Sequence, residues 1–302
     1  MFELADLVRL HGDQYRQTHR LPLRQLKVLR AVTVCRTAAL GGHRDQCDTC
    51  GAIRVSYNSC RNRHCPKCQG RVAKRWLADR RQDLLPVAYH HIVFTVPETL
   101  NPLALRNQKV FYDLLFKAAQ ETLRELSRDE RYIGAEVGIT ALLHTWGQNL
   151  MDHPHLHCLV TGGGLAPDGN RWLATKRPDF FLPVKVMSRL FRGKFLAYLN
   201  QAFDRGRLIF PGTIQSEADP VVFKQFCRDL YNREWVVYCK PPFAGPQQVL
   251  EYFSRYTHRV AISNRRLIKL EQGLVHFRWK DYRDNHRQKI MVLPAAEFIR
   301  RF

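Results

Sequence analysis

The chain is short of acid. Its 302 residues carry 27 Asp and Glu against 48 Lys and Arg, a formal net charge of +21 with histidine neutral. A chain so unbalanced repels copies of itself and attracts polyanions. Long hydrophobic runs are also missing. Apolar stretches such as those around residues 91–96 and 141–143 fall far below the roughly 20 residues of a bilayer-spanning helix. The first ten residues hold Glu3 and Asp6 and no apolar core, so they do not read as a secretory signal. The expected compartment is the cytoplasm, where cysteines stay reduced, and no membrane partner is expected. No internal repeat or low-complexity tract breaks the chain. Apolar residues still make up 45%, enough for a buried core, which excludes a mainly disordered basic tail.

The basic residues are spread over residues 16–36, 61–81 and 255–287. That spread predicts a broad phosphate-contacting surface and nucleic-acid binding that weakens steeply with salt. Helical spacing runs through residues 21–34, 71–85, 103–126, 184–202, 218–231 and 247–259. Strand patterns fall at 89–96, 136–145, 155–161 and 235–239, with shorter ones at 260–263, 267–270 and 274–279. Residues 167–183 read as loop. The predicted class is α+β, a mostly antiparallel sheet flanked by helices. Two domains are expected: residues 1–85, helical and cysteine-rich, and residues 86–302.

Six of nine cysteines lie between positions 35 and 68, in a segment with few apolar residues. Such a segment needs a staple from outside its own core. Cys47-x2-Cys50 and Cys65-x2-Cys68 are separated by fourteen residues. Each pair can grip one side of a tetrahedral ion, and thiolates suit zinc. Gly51 permits the tight turn after the first pair. The expected ligands are therefore Cys47, Cys50, Cys65 and Cys68. His43, Cys60 and His64 lie inside or beside the cluster and could exchange with one of the four or form a second site. Arg61, Arg63 and Lys67 crowd the same loop, as expected of phosphate contacts.

The richest stretch runs from His144 to His157. His155 and His157 are two apart on a predicted strand, so alternation puts both on one face and Leu156 in the core. Two imidazoles so placed can hold one divalent ion. A third ligand should come from the neighbouring strand, where His144 lies eleven residues before His155. Gln148 is the alternative, and His153 reads as a loop or supporting residue. Downstream, Tyr252 and Tyr256 are four apart on a predicted helix and share a face. Arg255, His258 and Arg259 surround them with charge.

This His-apolar-His pattern resembles the HUH endonucleases, which nick single-stranded DNA with a metal and a tyrosine. The likeness becomes specific at Thr37–His43, Ser59–Cys68, Val93–Pro97, Pro154–His157 and Arg255–Asn264. Together these resemble the insertion-sequence-91 family of bacterial rolling-circle transposases, over nearly the whole chain. The resemblance implies an N-terminal zinc-binding, DNA-binding domain and an HUH catalytic domain. It implies Tyr256 and Tyr252 as nucleophiles, and Mg2+ or Mn2+ on His155 and His157. His144 as third ligand is similar to the three-histidine site of conjugative relaxases. It implies Arg61, Arg63, Lys67, Arg255 and Arg259 as DNA contacts, single-stranded transposon ends and target as partners, and a nucleoid-associated place in the cytoplasm. The chain stops at residues 296–302, inside what looks like a further family motif, so a C-terminal truncation is expected. A non-catalytic zinc-dependent DNA-binding remnant, or a plasmid replication initiator or relaxase-type nickase, remains an alternative reading.

Overall fold

The computed structural model describes every residue except 1, 178, 243–244, 255–259, 282–283 and 286. The chain forms two compact units. One comprises Met1–Asp79, Trp146–Met151 and Thr257–Phe302, and the other Arg80–Thr145 and Asp152–Tyr256.

The second unit is built on a sheet of β3 (Tyr89–Thr95), β4 (Glu136–Trp146), β5 (Asp152–Leu165) and β7 (Val237–Lys240), in the order β4-β5-β3-β7. The short β6 (Trp172–Ala174), inside the expected loop, pairs with the end of β5. β3 pairs antiparallel with β5 and with β7, and β5 pairs antiparallel with β6. Alternation sorts the two faces. Ile92 and Phe94 of β3, with Leu156, Cys158 and Val160 of β5, enter the main core. That face is covered by α5 (Gln108–Arg128) and α6 (Val184–Asp204). On α5 the buried residues Phe111, Leu114, Leu115, Ala118, Ala119 and Leu123 recur at helical spacing, giving one apolar stripe toward the sheet. Phe94 meets Phe191 of α6 at 4.9 Å between ring centres. α4 (Asn101–Arg106) and α7 (Pro220–Tyr231) complete the helical layer, and the Asp219 carboxylate caps α7 by accepting from the amides of Val221 and Val222. At the far end of the β4–β5 pair, a Cβ on Gly164 would collide with the Glu136 carbonyl oxygen, so glycine is what lets the two backbones close there.

The opposite sheet face carries a group of histidines. Val93 lies opposite His157, Thr95 opposite His155 and His91 opposite Leu159. On its other side His91 lies opposite Lys240. Cross-strand partners share a face, so His91, His155, His157 and Lys240 all point away from the core. Beside them runs α8 (Pro246–Ser254), held by buried Val249, Leu250 and Phe253. The Arg81 guanidinium pairs with the Glu251 carboxylate of α8 at 2.6 Å.

The first unit combines α1 (Leu4–Thr18), α2 (Leu23–Val34), the hairpin β1 (Gly42–Gln46) and β2 (Ile53–Tyr57), and α3 (Pro66–Arg81). To these it adds an antiparallel sheet of β8 (Leu267–Glu271), β9 (Leu274–Asp281) and β10 (Arg287–Pro294), and α9 (Ala295–Arg301). Leu4, Leu7, Val8, Leu29 and Val32 share one core with Ile262, Val275, Phe277, Phe298 and Ile299. A division at residue 85 assigns residues 260–302 to the catalytic part, whereas Ile262, Val275, Phe277, Phe298 and Ile299 pack with α1 and α2.

The class is α+β with antiparallel sheets flanked by helices, as expected. Besides β6, two local expectations differ. Residues 260–263 are not a strand; a 3-10 turn at Asn264–Arg266 follows them directly. β10 was not expected, because Arg287, Gln288 and Lys289 hide its alternation. Among the described residues no helix is long and apolar enough to cross a membrane.

Candidate metal centres and active site

Two clusters of metal-ligand type form among the described residues. The first is Cys35, Cys60, Cys65 and Cys68, with ligand atoms all within 4.8 Å of one another. The Sγ of Cys68 lies 3.5 Å from that of Cys35 and 3.6 Å from that of Cys60. Four sulfurs on a tetrahedral zinc, each bonded at about 2.3 Å, stand about 3.8 Å apart, so the set fits. Cys65 and Cys68 flank the start of α3, while Cys35 ends α2. The Cys60 amide donates to the Cys35 sulfur at 3.5 Å, drawing the 58–62 loop onto the helix end. Burial pushes the Cys60 thiol up to about 11. Burial works the same way on Cys68, but hydrogen bonds from Cys35, Cys60 and Cys65 bring its thiol below the ordinary value.

This grouping corrects the set expected from spacing. Cys47 and Cys50 do not join Cys65 and Cys68. They are exposed, at the tip of the β1–β2 hairpin. The Gly51 amide donates to the Cys47 carbonyl at 2.9 Å, and the Cys47 amide to that of Ala52 at 2.9 Å. Gly51 takes φ +69°, the left-handed conformation the turn requires. The tight turn forms as its sequence predicts, but five strand pairs carry it out along the hairpin. Hydrogen bonds from Cys50 and Thr49 lower the Cys47 thiol to about 7. Brief iodoacetamide treatment of the zinc-loaded protein at pH 7 should therefore modify Cys47 first, with Cys35, Cys60, Cys65 and Cys68 protected. Peptide mapping by mass spectrometry checks this; equal labelling of Cys65 would contradict it.

Around this cluster Arg61 and Arg63 are exposed, and the Arg63 Nε donates to His64 Nε2 at 3.2 Å. Burial, then Arg63 and Arg24, lowers the His64 pKa. Lys67 is half-buried and pairs with Glu3 at 2.6 Å, so less of its charge is offered outward than expected. His43 lies exposed on β1. Arg255 and Arg259 lie outside the described residues.

The second cluster is His144, His155 and His157, again within 4.8 Å. His144 comes from β4 and the other two from β5. Ring centres are 4.7 Å apart for His144 and His157, 5.3 Å for His144 and His155, and 4.8 Å for His155 and His157. His144 and His157 are buried, and His155 is half-buried. The Nδ1 of His155 lies 2.6 Å from the His153 carbonyl oxygen, which can only accept, so this nitrogen carries the proton. The Nδ1 of His157 lies 2.9 Å from Nε2 of His91. With Nδ1 engaged in both, Nε2 is the nitrogen each can turn to an ion. Metal-bound imidazoles use the same division of labour, and the donor set fits a divalent cation. Gln148, the alternative third ligand, sits in the turn between β4 and β5, where its main-chain carbonyl accepts from Arg266.

Tyr252 stands beside this cluster on α8. Its ring meets that of His91 at 5.5 Å edge-on, and the Lys240 ammonium lies 4.8 Å from its centre. Tyr256 lies outside the described residues. Two neighbours of the site were not singled out from sequence: His91 and Lys240. Their only signal was alternation, His91 sharing parity with Val93 and Thr95. Burial, then Lys240 and His144, holds His91 down at about 4. His90, on the core face against Phe181, is likewise lowered to about 4 by burial.

Comparison with known proteins decides the family. Residues 138–302, more than half of the chain, match a family described as "Putative transposase", and residues 7–96 match one described as "Transposase zinc-binding domain". The chain belongs to the insertion-sequence-91 transposases. It is 54% identical over 301 residues to "Putative transposase y4qJ" of Sinorhizobium fredii, covering 99% of this chain and 75% of that protein. It is 27% identical over 292 residues to the "Transposase for insertion sequence element IS801" of Pseudomonas savastanoi pv. phaseolicola, covering 91% of this chain and 65% of that one. Among solved structures, a conjugative relaxase in complex with oriT DNA in its metal-bound form aligns at 12% identity with a TM-score of 0.31. That alignment covers 56% of this chain and 70% of the relaxase. In this family member the cysteine-rich part is the zinc-binding domain.

Proposed function

We propose that this transposase nicks and rejoins single-stranded DNA at transposon ends through a 5′-phosphotyrosine, the chemistry of rolling-circle transposition. The observation that carries the reading is the convergence of His144, His155 and His157 on one sheet face beside Tyr252. These three histidines would hold the divalent ion, Mg2+ or Mn2+, with imidazole favouring Mn2+. A bound ion there would neutralise the scissile phosphate and align it for in-line attack.

The protein's own groups do the rest. The Tyr252 or Tyr256 hydroxyl forms a bond to phosphorus, and the bond from phosphorus to the 3′ oxygen breaks. The phenol proton leaves to solvent, and the departing oxygen takes up a proton as a free 3′-hydroxyl. The phosphodiester energy is kept in the covalent intermediate, so the reverse attack by a 3′-hydroxyl joins strands without ATP. A second tyrosine four residues away can take a second strand while the first adduct waits. Zinc on Cys35, Cys60, Cys65 and Cys68 would hold the first unit in shape, and the +21 charge, through Arg61, Arg63, Arg255 and Arg259, would engage the DNA backbone.

The test is incubation with single-stranded DNA from the element's end and Mn2+, followed by a denaturing gel. A protein–DNA band that survives denaturation is expected, and Tyr252→Phe combined with Tyr256→Phe should remove it. Persistence of the band in the double variant would falsify the tyrosine mechanism. DNA binding without any adduct in the unaltered protein would leave a binding remnant as the reading.

A further inference from the structure

His91 is not in the histidine motif, yet it touches both His157 and Tyr252. It sits on β3, shares a face with His155 and His157, and is buried at 4% exposure. Its Nε2 lies 2.9 Å from His157 Nδ1, with the two rings nearly parallel at an angle of 6°. It also meets the rings of Tyr252 at 5.5 Å and Phe253 at 6.0 Å, both edge-on. His91 therefore stands between a metal ligand and the helix that carries the nucleophile.

The hydrogen bond has a direction that metal binding would fix. One nitrogen of the pair must donate and the other accept. If His91 donated, His157 would carry its own proton on Nε2 and have no lone pair there for an ion. If His157 donates from Nδ1, its Nε2 lone pair is free for the metal and its ring plane is set. His91 must then accept at Nε2 and keep its proton on Nδ1. A carbonyl or carboxylate commonly performs this service for a metal-bound histidine, as the His153 carbonyl does for His155. For His157 the acceptor is another imidazole.

We propose that His91 is a positioning residue of the catalytic metal centre: it accepts the Nδ1 proton of His157 and so fixes the tautomer and aim of that ligand. This rests on the three-histidine metal reading above. Contact with Tyr252 makes the same ring a spacer between ligand and nucleophile.

The experiment is calorimetric titration of MnCl2 alone into the whole 302-residue, zinc-loaded chain, with no DNA. The His155→Ala, His157→Ala double variant supplies the background. His91→Leu keeps a buried apolar side chain without an acceptor, and His91→Gln places an oxygen near the lost Nε2. Loss of such a support costs about 10–100-fold in metal affinity. His91→Leu should weaken Mn2+ binding by that factor, and His91→Gln should restore it to within about threefold of the unaltered protein. Melting temperatures in the absence of Mn2+ report whether each variant is folded; should His91→Leu not fold, His91→Ala stands in with the same expected loss. Binding by the acceptor-free variant as tight as the unaltered protein's overturns the proposal, as does a Gln variant as weak as the Leu one. If the unaltered protein binds no Mn2+ above background, the metal reading itself fails, and the role of His91 fails with it.

Discussion

Replacing His155 and His157 together by alanine should abolish the covalent DNA adduct while leaving most DNA binding intact. Both side chains stand on the sheet face away from the core, whereas Leu156 and Cys158 between and after them fill it. Their removal therefore takes the ligands without opening a cavity among the large apolar residues. Charge neutralisation of a phosphate by a bound ion is worth several kcal/mol in the transition state. A loss of roughly 4 kcal/mol is on the order of a thousandfold in rate. Binding should change little, because it draws on basic residues distributed over the chain. Two measurements check this: adduct yield on a denaturing gel, and affinity for a fluorescent single strand at fixed salt. Equal loss of both would point to unfolding, and an intact adduct would remove the histidines from the mechanism.

The second large effect concerns zinc. Cys35→Ser or Cys60→Ser, each in the full chain, should release the metal and unfold the first unit, and Cys47→Ser or Cys50→Ser should do neither. The reason is the geometry of the four sulfurs, which gathers Cys35 and Cys60 with Cys65 and Cys68. Structural zinc contributes about 10–16 kcal/mol of apparent binding free energy to small domains, so losing a ligand is expected to exceed what the unit's own core supplies. Zinc per protein by elemental analysis, with the thermal transition of each variant, separates the two sets. Retained zinc in the Cys60→Ser protein with lost zinc in the Cys50→Ser protein would restore the paired-spacing assignment.

The contrast between the cysteine and histidine clusters shows what spacing can and cannot carry. His155 and His157 were legible because a strand's period is two, so their common face follows from the strand alone. His144 was legible because the turn back from β4 is short. The cysteine set depends instead on where α2 ends and how the 58–62 loop folds back to it, which no local spacing records. Cys47 and Cys50 have a regular knuckle turn, yet the hairpin decides where that turn goes. His91 is hidden for a related reason. Its partner is 66 residues away, and only the register of β3 on β5 brings the rings together. The helices were legible wherever one apolar stripe was long, as on α5, and β10 was not, because its polar residues mask the alternation.

The core shared by α1, α2 and residues 260–302 has a consequence for synthesis. Leu4, Leu7 and Leu29 leave the ribosome long before Phe277 and Phe298 exist. The intervening stretch of some 230 residues takes about 10–50 s to translate at ordinary elongation rates. During that interval the second unit, whose segments end at Tyr256, can complete itself while the earlier helices wait with their apolar faces uncovered. The nascent chain is thus expected to mature out of order, residues 80–256 before α1 and α2, and to need protection of α1 and α2 until residues 260–302 emerge. Shortening the gene from the 3′ end should therefore produce an aggregation-prone N-terminus.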